Sequence, residues 1–156
     1  MPRNNIKFIF LVILLSVFQV TINNSTGLYI DCLSVAIIIL LFSNVFSFIV
    51  VVLLSLLADL LGHWYLGSHL FTAVALSFLS VPLINYYRLS GYVQMSVIVC
   101  IFYALLTAII TLIGFVTHNL FINWLGFVVE IFILCPVIQG LFIMFGIKAV
   151  TQDIIY

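Results

Sequence analysis

Asp59 is one of only four acidic residues in the chain, and it stands in a long apolar stretch. A carboxylate in such surroundings costs free energy unless partners or water meet it. On a helix, Ser55 and His63 lie one turn to either side of Asp59 and share its face. His69 follows six residues after His63, across a turn bracketed by Gly62 and Gly67. An acid beside an imidazole can move a proton or begin a metal site. A metal needs a third and fourth ligand at compatible spacing. Only Asp59 and His118 are at hand, and neither has that spacing, so no metal and no cofactor are expected. H-E-x-x-H, G-x-S-x-G and P-loop patterns do not occur. No catalytic residue is therefore expected, and an Asp59–His69 acid–base pair is the weakest of the readings.

Glu130 is the second unusual residue. It falls inside the last apolar run, and no Lys or Arg lies within an apolar segment to pair with it. Ionisable residues in such segments face the bundle interior and take a partner. That partner is a hydrogen-bond donor, water, the glutamate's own proton or another protein. Six residues on, Pro136 removes a backbone hydrogen bond and kinks its helix. The three cysteines, Cys32, Cys100 and Cys135, are scattered and form no C-x-x-C pair. They are expected to be small buried apolar residues.

These residues must be positioned by a chain that is 67% hydrophobic and 5% charged over 156 residues. Soluble domains carry about 25% charged residues. Lipid is therefore the expected solvent, and residues 1–156 form one polytopic all-α membrane domain. The net charge is zero and no basic stripe exists, so nucleic acid is not an expected partner. Arg3, Lys7 and the apolar run after them resemble a signal peptide, but no small-x-small site follows. The run is expected to be an uncleaved first span.

A spanning helix takes roughly 20 apolar residues. Such segments fall at about 6–22, 28–43, 45–61, 69–87, 92–116 and 120–148. Residues 28–61 as one helix would reach about 51 Å at about 1.5 Å per residue, well beyond a core of about 30 Å. A break at Ser43-Asn44 is therefore expected. Six spans put Arg3, Lys7, Arg88 and Lys148 on one side, which the positive-inside rule makes the cytoplasm, with both termini there. Asp31, Asp59, Glu130 and the three histidines then lie toward the outer side. Trp64 and Tyr65 suit the membrane interface there.

The size, the six spans and the segment Asp59-Leu60-Leu61…Leu66-Gly67 resemble the rod shape-determining protein MreD family. That family shows an Asp-Leu-Leu-x-Gly-x-x-Leu-Gly pattern at the end of its third helix. Five positions match in register. The first family glycine falls at His63, and this chain has Gly62 one place earlier. Gln19 and Pro136 echo the family as well, while Asp31 stands where a proline is common. The resemblance implies a protein of the bacterial inner membrane that serves cell elongation without enzymatic activity. Its implied partners are MreC and, through it, the MreB filament and the peptidoglycan-synthesising enzymes. The implied fold is similar to the substrate-binding subunits of energy-coupling-factor transporters.

On the assembly reading, the turn at 59–70, including Gly62, His63 and His69, forms a partner-contact face with Glu130. The alternative is a small-molecule, vitamin-type binding subunit, with Asp59, His63, His69 and Glu130 as the polar groups of an otherwise apolar pocket. Fold alone does not grant that function.

Overall fold

The computed structural model describes residues 2–26, 30–43, 48–62, 66–118 and 124–145, all but a few of them helical. The first helix, α1, runs Pro2–Thr26 and is followed by α2 (Cys32–Ser43) and α3 (Phe48–Gly62). Next come α4 (Ser68–Ser80), a 3-10 turn at Val81–Leu83 and α5 (Ile84–Leu89). The long helix α6 spans Tyr92–His118. The last segment comprises α7 (Trp124–Val129), a π-helical stretch at Glu130–Leu134 and α8 (Cys135–Met144).

The expected helical segments are present, with shifted ends. α1 continues past residue 22 because Ser25 and Thr26 turn their hydroxyls back onto the Ile22 carbonyl. Asn23, beyond the expected end at 22, lies within the helix and clamps Ile30, accepting from its N–H at 2.8 Å and donating to its carbonyl at 3.1 Å. α2 starts at Cys32 rather than residue 28, because the Asp31 side chain caps it. Residues 44–47, where the expected break falls, lie outside the described residues.

Among the described residues, four stretches are long and apolar enough to cross a membrane: Lys7–Thr26, Ser68–Tyr87, Tyr92–Val116 and Trp124–Met144. The other two apolar helices are shorter, at Cys32–Phe42 and Ile49–Gly62. α2 has 12 residues and is about 18 Å long, short of a hydrocarbon core of about 30 Å. Residues 32–40 are all buried. A helix that is apolar all round belongs inside a bundle. Accordingly α2 forms the hub, touching α1, α3, α4, α5, α6 and α8.

The outer helices are two-faced in burial but not in polarity. On α1, Phe8, Leu11, Leu15 and Gln19 point inward at helical spacing, while Ile9, Phe10, Ile13, Leu14, Val17 and Phe18 face out. On α6, Val99, Phe102, Tyr103, Leu106 and Ile110 are buried against exposed Val97, Ile101, Leu105, Leu112 and Phe115. Apolar outer surfaces on this scale do not suit water. They are compatible with a multi-pass membrane protein.

Candidate functional site

Helices leave their first N–H groups without internal partners, and α2 and α4 both begin inside the bundle. The polar residues of the chain meet there. Asp31, immediately before α2, accepts the Ser34 N–H on Oδ1 at 3.2 Å and the Ser34 hydroxyl on Oδ2 at 2.5 Å. The Leu33 N–H goes to Gln19 Oε1 of α1 at 3.2 Å. The Asp31 N–H goes to Glu130 Oε1, at the start of the π-helical stretch, at 2.6 Å. Three side chains from separate parts of the chain thus complete one helix end.

The start of α4 is completed in the same way by a residue of α3. Asp59 accepts the Gly67 N–H at 2.6 Å, the Ser68 hydroxyl at 2.7 Å and the His69 N–H at 3.1 Å. Gly67 has φ 97°, in the left-handed region where glycine is at home. This backbone twist turns the Gly67 and His69 amides toward the carboxylate. Negative charge at a helix N-terminus is further favoured by the helix dipole.

His69 joins the two caps. Its Nδ1 lies 2.7 Å from Asp59 Oδ1 and its Nε2 lies 2.9 Å from Asp31 Oδ2. Two protons occupy these two bridges. Whether they make an imidazolium between two carboxylates or a neutral ring beside one carboxylic acid, the trio carries one net negative charge. Tyr103 of α6 lies within electrostatic reach of Glu130 at the other end of the network.

Asp59, His69 and Glu130 are 1%, 0% and 5% exposed, respectively. Gly67 lies in the turn itself and Gly62 closes α3 as a buried residue. Leu61 packs partly against the core. Leu60 and Leu66 face outward, 63% and 70% exposed. His63, Trp64 and Tyr65 lie outside the described residues, as does the side chain of His118. Ser55 does not reach Asp59; its hydroxyl bonds back to the Val51 carbonyl at 2.8 Å.

Pro136 sits just after the π-helical stretch, where Cys135 donates its N–H to the Glu130 carbonyl. The next carbonyl, Ile131, would be served in the same step by residue 136, which as proline has no N–H. The Cys100 thiol donates to it instead, at 3.3 Å. The Pro136 carbonyl accepts the Tyr92 hydroxyl at 2.6 Å. Cys100 therefore does more than fill space.

Sequence reasoning did not give Asp31, Ser34, Ser68, Gln19 or Tyr103 a part in this network. One signal was present: an Asp followed by an apolar run, with a serine three residues on, is a helix-start pattern. Chemically the site is self-contained. Both His69 nitrogens are occupied by carboxylates, so the ring offers no free lone pair to a substrate or metal. Among the described residues, no group of three or more His, Cys, Asp or Glu side chains is arranged to hold a metal ion.

Comparisons of the chain with protein-family models, with curated proteins and with solved structures found no match.

Proposed function

We propose that this protein is a non-enzymatic, six-span component of the bacterial inner membrane, with both termini in the cytoplasm, that serves the cell-elongation machinery. On this reading it binds MreC and through it helps couple the MreB filament to peptidoglycan synthesis. Its fold would then be of the kind found in the substrate-binding subunits of energy-coupling-factor transporters.

The observation that supports the reading is the reach of Asp59 to Gly67. In the MreD-like segment, the spacing of aspartate and final glycine has a mechanical reason. The carboxylate ends one helix and caps the next, and the glycine supplies the left-handed turn that aims the amides at it. Asp59, Asp31 and His69 spend their polar atoms on one another and on helix ends, which suits a scaffold better than a reaction centre. Leu60 and Leu66 stand exposed close to the Asp59–Gly67 cap. Packing against a partner's transmembrane helix falls on them, because helices associate in lipid by close packing rather than by a hydrophobic force.

A photo-crosslinker at Leu66 tests this in cells. It should capture MreC, while one at Phe78, exposed at the far end of α4, should not. Capture of MreC at neither position, or equally at both, overturns the proposed contact.

A further inference from the structure

The buried network holds more acid than its single imidazole can balance. The Asp59–His69–Asp31 trio already uses the whole positive charge of His69 in its two bridges. Glu130 then stands beside it, bonded to the main chain of Asp31. The groups that face Glu130 are Asp31 and Cys32 at the start of α2, Tyr103 on α6 and Cys135 on α8. Cys100 of α6 reaches the neighbouring Ile131 carbonyl. α7 brings no titratable side chain. None of these groups can become positive. An ionised Glu130 would add a second uncompensated negative charge to a buried cluster, and like charges in an apolar setting disfavour that form.

We propose that Glu130 carries a proton in the folded protein, as a carboxylic acid that accepts the Asp31 N–H, and that this is a proton-binding site. One carboxyl oxygen accepts the Asp31 N–H at 2.6 Å, and the other carries the proton. The site links the start of α2 to the π-helical stretch without a basic residue. It does not depend on the identity of any partner protein.

Glu130 is the only glutamate in the sequence, which allows a test on the unaltered protein. The chain is labelled with glutamate carrying carbon-13 at the side-chain carboxyl, placed in lipid bilayers at pH 7 and examined by infrared spectroscopy. The label should shift a protonated-carboxyl C=O band. If it shifts only carboxylate stretching bands, the proposal is overturned. Variants provide an independent arm. Glu130→Gln is neutral and keeps the oxygen that accepts the Asp31 N–H. It should melt within a few degrees of the wild type, with Glu130→Ala well below both. A Glu130→Gln protein that melts as low as Glu130→Ala overturns the proposal.

Discussion

Asp59 shows how much one side chain determines here. It is the shared acceptor for two backbone amides, a hydroxyl and a ring nitrogen. Removing one partner from such a buried set leaves the others unmet, which costs about 3–5 kcal/mol for buried ion pairs. Asp59→Ala should therefore lower the melting temperature sharply and reduce the amount of protein in membranes. Gly67→Ala should cost less, roughly 1–2 kcal/mol, from its left-handed backbone. No atom lies within 4 Å of the added methyl. A thermal melt ranks the two, and a Gly67→Ala loss as large as that of Asp59→Ala would refute this account of the turn. The importance of Asp59 was legible in the sequence because a carboxylate in an apolar run demands a partner. The cap it makes on Gly67, Ser68 and His69 was not, nor was the wider network, in which Asp31 meets His69 and Glu130 at separations of 38 and 99 positions.

At the scale of elements, the helices were readable and their ends were not. Apolar runs of spanning length marked the segments, but each end is set by a side chain from elsewhere: Gln19 and Glu130 for α2, Asp59 for α4. The π-helical stretch was equally hidden. Pro136 announced a distortion, yet the sequence does not say that the helix widens before it, or that a cysteine on α6 serves the freed carbonyl. This arrangement predicts coupling. Cys100→Ala should destabilise the protein while residue 136 is proline. It should do so less in a Pro136→Ala background, where a new N–H can serve the Ile131 carbonyl. A double-mutant cycle by thermal denaturation should show coupling of about 0.5 kcal/mol or more. Strict additivity would mean that the thiol contact contributes nothing.

For the whole molecule, composition was enough to predict a helical membrane domain, and the structure has four helices of spanning length around shorter ones. Proposing six crossings adds the two short helices and places both ends of the chain in the cytoplasm. A fluorescent protein that matures only in the cytoplasm, fused after Tyr156, should be bright. An alkaline phosphatase fused there should be inactive. The reverse pattern would demand an odd number of crossings. The buried hub has a further consequence for biogenesis. α2 is synthesised early, but the acceptor for the Asp31 N–H belongs to Glu130, made 99 residues later. The ribosome must therefore release most of the chain before its central helix can be finished. A nascent protein cut before residue 130 would expose an incomplete helix end to the membrane and to the proteases that patrol it.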